Sequence, residues 1–292
     1  MIGAERMQVH VGEPGTIAIV TDAAADVPPV ERDNLGGVPW IVLPETWHAK
    51  SDIDVRDDGS ASRDLVNLAL GSLRPEPSEP RWDDYVATYG RLREIDRVFS
   101  IHSPASVSSS VVQAREAAGA YPNVRVIEAT VTGIGLGLLA TLARDLAATG
   151  AGPDAVEEFL RVHRDAVRML VVPDRFDPKT TQRGLSARLL AGQPLLQASV
   201  GGTLDLSRRL RSRRATIAAI ERYFTDHTSD VGPIQLALAH GDAAGAIDPF
   251  LDVLERIRPH SEVVLVGRVG PRLLQQLGAR CVAAAWLQPP AT

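Results

Sequence analysis

The first half of the chain alternates short apolar runs with segments that have the spacing of helices. The apolar runs lie at 16–21, 38–43, 97–101 and 124–128, and the helical segments lie at 82–92, 110–120 and 135–148. Strands that alternate with helices form βαβ units, whose strands are parallel and are covered by helices on both faces. The pattern therefore predicts an α/β fold built on a parallel sheet.

The pattern changes after the break at 150–153, where Pro153 suits the first turn of a new helix. Two strand-like runs, 195–200 and 203–209, flank Gly201-Gly202 and predict a β-hairpin, which is an antiparallel element. Further strands are predicted around 168–172, 235–239, 262–266 and 281–287, and helices at 154–166, 185–190, 216–224 and 243–258. The second half is thus expected to be α/β with a mixed sheet.

The predicted organisation has three parts: a loose leader at 1–15, an N-terminal Rossmann-like parallel domain at 16–150, and a C-terminal mixed-sheet domain at 151–292. Within the first domain, residues 44–61 are polar and are predicted to form a loop. A short helix is expected at 64–70, and the proline-rich segment 74–80 must be extended. The helix at 82–92 is expected to place one face against the core, formed by Trp82, Tyr85, Val86, Tyr89 and Leu92.

Composition excludes several classes of function. Only 4% of the residues are aromatic and the net charge is −5, which argues against nucleic acid as a partner. No apolar run is long enough to cross a bilayer, so no stable membrane insertion is expected. The single cysteine, Cys281, allows no disulfide framework, and the histidine spacing predicts no metal site. No cofactor is expected. The N-terminus has no signal-peptide pattern, so a cytoplasmic location is expected.

Five arginines fall within the eight residues 207–214, between a predicted strand and a predicted helix. A nucleic-acid site would need a wider basic face than this acidic chain offers, and a solvated turn accounts for some of the five. A clamp for a carboxylate or phosphate needs only one or two of them, because one guanidinium binds an oxyanion through two parallel N–H bonds. The stretch therefore indicates an anionic ligand.

Three other patterns have competing interpretations. The glycines at 133, 135 and 137 follow a strand as in a dinucleotide-binding loop, but close helix packing explains them more simply. The serines at 106, 108, 109 and 110 are candidates to pair with His102 or His240 in a hydrolase, but serines that open a helix are more often caps. Asp22 ends the first strand, at the edge where open α/β sheets bind ligands, although capping the next turn is its simpler role.

Several segments together carry a family resemblance. In chain order they are 17–28 (IAIVTDAAADVP), 38–44 (VPWIVLP), 108–110 (SSS), 128–137 (EATVTGIGLG), 209–212 (RLRS), 239–246 (AHGDAAGA) and 269–271 (VGP). Their order and spacing resemble those of the DegV family, bacterial two-domain fatty-acid-binding proteins. The resemblance implies a fatty acid in a tunnel between the domains, with its carboxylate near the surface for presentation to a partner fatty acid kinase subunit. It implies a carrier with no catalytic residues.

The resemblance also assigns candidate ligands. Arg211 takes the family's arginine position, Arg74 stands in place of a liganding threonine, and Arg268 replaces the histidine of an H-V-G-P-G motif. The liganding serine falls on Ala105, with Ser103 and Ser106 close enough to substitute for it. Further candidates at the edge of the ligand are Asp22, Ser108 and His240.

The expected result is a carboxylate site at which Arg74, Arg211 and Arg268 converge. An arginine at such a site would keep the bound carboxylate ionised. The alternative is a degenerate DegV-like chain that has lost the lipid site and serves as an interaction or regulatory module. An enzyme acting on bound anions would need a general base, and none is placed for it in the sequence.

Overall fold

The structure is a computed structural model that describes residues 17–28, 37–49, 54–59, 65–67, 71, 77–174, 192–199 and 201–288. The strands are β1 (Ile17–Asp22), β2 (Trp40–Leu43), β3 (Glu45–His48), β4 (Asp54–Asp57), β5 (Arg97–His102), β6 (Val124–Glu128), β7 (Arg168–Val172), β8 (Gln193–Ala198), β9 (Leu204–Leu210), β10 (Gln235–His240), β11 (Glu262–Arg268) and β12 (Val282–Leu287). The helices are α1 (Trp82–Arg91), α2 (Ser110–Ala118), α3 (Ile134–Ala148), α4 (Pro153–His163), α5 (Arg213–His227), α6 (Asp248–Ile257) and α7 (Pro271–Leu277). Short 3-10 turns occupy Ala23–Ala25 and Ala244–Ile247.

The first sheet contains four strands in the order β2-β1-β5-β6, and every pairing in it is parallel. All six residues of the central strand β1 are buried, as its unbroken apolar sequence predicts. The parallel α/β fold expected for the first half is therefore confirmed. Because the strands are parallel, their carboxyl ends lie together at one edge of the sheet.

The second sheet contains six strands in the order β11-β10-β12-β7-β8-β9. Only the pairing of β10 with β11 is parallel, and the other pairings are antiparallel. The hairpin predicted around Gly201-Gly202 is present as β8 and β9, so the mixed sheet is confirmed. Its two faces carry separate cores, one shared with α3 and the other covered by α5 and α6.

Several local predictions were wrong. Residues 44–61 are not simply a loop, because β3 and β4 pair there as an antiparallel hairpin. Trp47 is fully buried in this hairpin, and the alternation of buried and half-exposed residues along β3 is the strand signal that its polar composition obscured. Trp82 is 46% exposed rather than in the core. Helix α7 was not expected, and the helix predicted at 185–190 lies outside the described residues.

The arginine stretch also differs from its prediction. Residues 207–210 belong to β9, an edge strand, and the last two arginines open α5, whose N-cap is Ser212. Only Arg211 and Ser212 lie between elements. The stretch therefore runs along the edge of the second sheet instead of forming one compact turn.

Helix α3 lies between the two sheets. Twelve of its fifteen residues are buried. It contacts β1 and β5 of the first sheet and β10, β11 and β12 of the second. A helix that is apolar on all sides is expected only where it is enclosed by the protein. The helix thus joins both halves into one core.

Glycines at the start of α3 permit this enclosure. A Cβ atom on Gly137 would lie 2.3 Å from the carbonyl oxygen of Ala25, and one on Gly135 would lie 3.1 Å from Val131 Cγ2. Gly133 has a φ of +61° and faces Leu273 of α7. The close-packing interpretation of the three glycines is confirmed.

The predicted domain boundary near 150 falls in the connection between α3 and α4. Because α3 packs on both sheets, the assignment of residues 16–150 and 151–292 to separate domains stays a prediction. Within the described residues, no helix combines the length and the apolar character needed to cross a membrane.

The contact at Gly137 predicts a large stability effect. Gly137→Ala is expected to lower the free energy of unfolding by about 2 kcal/mol or more, because the new methyl group must displace backbone. Gly119→Ala is the matched control, since Gly119 has a φ of −56° and its nearest atom would be 3.4 Å from the new Cβ. Urea unfolding of the two variants and the parent measures the difference. Equal effects at both positions would contradict the packing role of Gly137.

Candidate functional site

A chain of buried polar groups crosses the carboxyl ends of β1 and β5. Asp22 Oδ2 is 2.7 Å from His102 Nδ1, and His102 Nε2 is 2.7 Å from Ser100 Oγ. The hydroxyl of Tyr89 donates to Ser100 Oγ at 2.7 Å. Asp22 Oδ1 also accepts the N–H of Ala24, so the capping role expected for Asp22 is present. The side chains of Asp22 and His102 are fully buried, and their hydrogen bonds offset the cost of burying polar groups.

Ser100, His102 and Asp22 have the spacing of a hydrolytic triad, but the arrangement is sealed. Ser100 is completely buried and its oxygen already accepts the Tyr89 hydroxyl. His102 bonds to Ser100 rather than to any serine of the 103–110 segment. A nucleophile must reach its substrate, so this chain of hydrogen bonds is structural.

The N-terminus of α2 holds a carboxylate of the chain itself. The backbone N–H and the hydroxyl of Ser109 both donate to Glu79 Oε2, at 2.7 and 2.5 Å. Glu79 belongs to the extended segment 77–80, whose Ser78 pairs with Thr46 of β3. Helix N-termini favour negative charge because their first N–H groups have no partner within the helix. The N-terminus of α2 is therefore a carboxylate-binding site.

Arg272, near the start of α7, binds the same carboxylate from the other side. Its Nη2 donates to Glu79 Oε1 at 2.8 Å and to Glu45 Oε1 at 3.1 Å. Burial would lower the pKa of Arg272, but Glu45 and Glu79 raise it above its ordinary value. Arg272 thus joins segment 77–80 and β3 of the first half to α7 of the second.

Glu45 is an acid in an unfavourable environment. Its side chain is only 3% exposed, and burial raises its pKa to about 7 although Arg272 acts to lower it. Negative charge on Asp22 and Asp57 raises the pKa further. Near neutral pH, Glu45 therefore exchanges between its neutral and its charged form.

Asp26 lies beside Glu45, Asp57 and Arg272, and these four residues form the acidic junction. Asp26 has a left-handed φ of +53°, and burial raises its pKa well above its ordinary value, against the lowering effect of the Gly270 N–H. A small cavity of about 20 Å³, room for one water, is lined by Asp26, Glu45, Asp57 and Arg272, among others. Among the described residues, no three His, Cys, Asp or Glu side chains are arranged to hold a metal ion.

On its outer side, the Glu79–Arg272 pair lines an open cleft of about 750 Å³. The remaining walls of the cleft are Pro77, Ser78, Pro80, Arg81, Ser109 and Gln113. The carboxylate-binding groups of Ser109 and Arg272 therefore lie at the boundary between the interior of the protein and an accessible surface.

The structure places the predicted serines near this region, but each has another partner. Ser103 is buried and donates to Thr132 Oγ1 at 2.9 Å. Ser106 donates to the carbonyl of Gly201 in the β8–β9 turn at 2.5 Å, and Ser108 Oγ accepts the N–H of Ser110. These serines fasten the 103–110 segment, and their role as ligands stays a prediction.

Two of the three predicted arginines, Arg211 and Arg268, lie far apart among the described residues. Arg211 follows β9 and Arg268 ends β11, and these strands are opposite edges of the six-stranded sheet, about 24 Å apart at a typical strand spacing. Alternation along the strands places Arg268 and His240 on the face away from α3, where Arg268 lowers the pKa of His240 in addition to the effect of burial. Arg74 lies outside the described residues.

The family described as "Uncharacterised protein, DegV family" matches residues 16–288. The chain belongs to the DegV family. No curated protein sequence matches it.

Solved DegV structures share the fold over nearly the whole chain. A DegV family protein from Thermus thermophilus, described by its fatty acid binding, is 21% identical with a TM-score of 0.77, over 94% of this chain and 100% of that one. DegV of Bacillus subtilis, described as a fatty acid binding protein, is 22% identical with a TM-score of 0.74, over 94% and 99%. The Streptococcus pneumoniae Fatty Acid Kinase B3 protein, loaded with linoleic acid, is 18% identical with a TM-score of 0.74, over 94% and 100%.

Sequence reasoning missed Ser109, Glu79 and Arg272, which form the observed carboxylate contact. Arg272 stands at the second end of the H-V-G-P-G motif of the DegV family, opposite Arg268, and that departure was the available signal. Ser109 lay within a recognised segment, and Glu79 within the proline-rich one. Their meeting depends on tertiary structure, because Glu79 and Arg272 are 193 residues apart.

The acidic junction predicts a change in the pH dependence of stability. Because the pKa of Glu45 is about 7 in the folded chain and ordinarily 4.5, the folded state binds more protons in this range, and the free energy of unfolding falls as pH rises through it. Glu45→Gln removes this loss, so the variant should gain up to about 3 kcal/mol on the parent between pH 4.5 and 7. Urea unfolding at pH 5 and pH 8 measures the gain.

Glu255→Gln, at an exposed position of α6, is the control for that experiment and should follow the parent at both pH values. A difference between Glu45→Gln and the parent that does not change with pH would show that Glu45 keeps an ordinary pKa.

Proposed function

We propose that the chain binds a long-chain fatty acid between its two sheets, with the carboxylate held by Ser109 at the start of α2 and by Arg272 of α7. Two comparisons support the proposal: the chain is a DegV protein by sequence, and it shares its fold with DegV proteins described as fatty-acid-binding.

The observation that carries the proposal is the bound carboxylate of Glu79. A backbone N–H, a hydroxyl and a guanidinium converge on it, and these are the groups that bind carboxylates most strongly in proteins. The Nε of Arg272 is buried and has no hydrogen-bond partner among the described residues, so the guanidinium keeps a further donor for a ligand oxygen. The donors of Ser109 and Arg272 therefore suit the carboxylate headgroup of a fatty acid.

The apolar interior suits the remainder of such a ligand. Helix α3 and the facing strands of both sheets form one core of mainly aliphatic side chains. Burial contributes about 0.8 kcal/mol per CH₂ group, so a long acyl chain contributes on the order of 10 kcal/mol before the cost of ordering it. An interdomain tunnel that opens at the Glu79–Arg272 pair would give both parts of the ligand a place.

In this proposal the protein is a carrier and not an enzyme. It presents the ligand carboxylate at the open cleft, where a partner fatty acid kinase subunit phosphorylates it in the cytoplasm. The likeness to the Streptococcus pneumoniae Fatty Acid Kinase B3 protein supports this role. The one triad-like arrangement described, at Ser100, is sealed from substrate.

A second candidate function is an interaction or regulatory module that kept the DegV fold without the lipid. The observation that favours it is that a carboxylate of the chain itself already occupies the headgroup contacts. Native mass spectrometry separates the two candidates. We expect the purified protein to carry, or to take up from vesicles, one fatty acid per chain, and no uptake of any acyl chain would leave the interaction module as the function.

Arginine variants locate the headgroup. Arg272→Gln is expected to weaken fatty acid binding at least about tenfold, because it removes a charge-assisted pair with the carboxylate. Arg211→Ala and Arg268→Ala should change binding less than about twofold, since Arg211 follows the edge strand β9 and Arg268 lies on the face of the second sheet that points away from α3. Titration with a fluorescent fatty acid measures all three affinities. If Arg211→Ala lost binding while Arg272→Gln bound the fatty acid as tightly as the parent, the headgroup would lie at the arginine stretch instead.

A further inference from the structure

The carboxylate of Glu79 occupies all three hydrogen-bond donors that the proposed function assigns to a fatty acid headgroup. Its Oε2 accepts both donors of Ser109, and its Oε1 accepts Nη2 of Arg272. Its side chain is 15% exposed and lines the open cleft, so the contact lies where a ligand would arrive. A second carboxylate cannot take the same donors while Glu79 holds them.

Charge in the immediate surroundings also opposes a second carboxylate. Arg272 is shared between Glu79 and Glu45, so one cation faces two acids. Asp26 and Asp57 line the small cavity behind it. A fatty acid anion added to this arrangement would lie next to the Glu79 carboxylate, and a like charge so close disfavours the ionised form of the fatty acid.

The backbone holds Glu79 in this position. Ser78 and Thr46 exchange two backbone hydrogen bonds, of 2.7 and 2.9 Å, directly beside Glu79. Pro77 and Pro80 are the two ends of the segment, and the ring of each fixes its own φ angle. The carboxylate therefore has a high effective concentration at the contact, as any tethered group has compared with one that is free in solution.

We infer that Glu79 is a tethered competitor that occupies the carboxylate contacts of Ser109 and Arg272 and must leave them before a fatty acid headgroup can be held there. The inference rests on the proposed function. Glu79 then determines headgroup selectivity: its competition reduces the preference of these contacts for a carboxylate over a neutral hydroxyl, and without it the contacts show their full preference for the carboxylate.

The test compares a fatty acid with the fatty alcohol of the same length. Both are titrated into the parent, Glu79→Ala, Glu79→Gln and the control Glu116→Ala, which changes an exposed acid on α2. In Glu79→Ala we expect the acid to bind at least about tenfold more tightly than in the parent, because the freed charge-assisted donors become available. The alcohol should change less than about twofold, since it gains no charge-assisted contact. Glu79→Gln should shift the acid in the same direction, and Glu116→Ala should match the parent.

A carboxyl-labelled fatty acid gives a second readout by NMR. We expect its carboxyl pKa to be lower in Glu79→Ala than in the parent, because the headgroup then faces Arg272 without the competing acid. Equal or weaker binding of the acid in both Glu79 variants would overturn the inference and leave the proposed function standing. If neither lipid binds to the parent or to any variant, both the proposed function and the inference are wrong.

Discussion

The enclosure of α3 between two sheets is the constraint on which the rest of the structure depends. It brings the backbone of the turn after β1 into direct contact with the backbones of α3 and β11. A Cβ atom on Gly137 of α3 would lie 2.3 Å from the carbonyl oxygen of Ala25, and one on Gly267 of β11 would lie 2.8 Å from that of Asp26. Contacts this close allow almost no adjustment, because protein interiors are packed as densely as crystals of small molecules. The relative position of the two sheets is therefore set by the main chain, and side chains fill what space remains.

The acidic junction is a direct result of that geometry. The turn after β1, the β3–β4 hairpin and the start of α7 all meet there, and each brings a polar residue that would otherwise be solvated. Burial without a partner is costly for a charge, and removing one member of a buried pair costs more than the pair contributes. The arrangement offsets this with one arginine shared between two acids and with raised pKa values that allow Asp26 and Glu45 to be neutral.

The fold followed from sequence more completely than the site did. Alternating apolar and helical segments predicted the parallel sheet, and Gly201-Gly202 predicted the hairpin, because both signals are local. The β3–β4 hairpin was missed because its buried positions hold acidic residues as well as Trp47, and acidic residues in a sequence favour the prediction of a loop. The predicted arginines were judged by charge and motif position, which do not report the face or edge of a sheet on which a residue lies. For Arg268, that face depends on the register of β10 with β11, which includes an irregularity between Leu236 and Ala237.

The exposed position of Trp82 has an optical consequence. Its backbone N–H donates to Gln113 Oε1 at the rim of the open cleft, and its indole is 46% exposed, whereas Trp47 and Trp286 are almost completely buried. Indole emission responds to the polarity of its surroundings, so movement of the neighbouring segment 77–80 would alter the emission of Trp82, the most exposed of the four indoles. The chain thus carries its own fluorescent reporter of events at the cleft, and no label needs to be attached to follow them in real time.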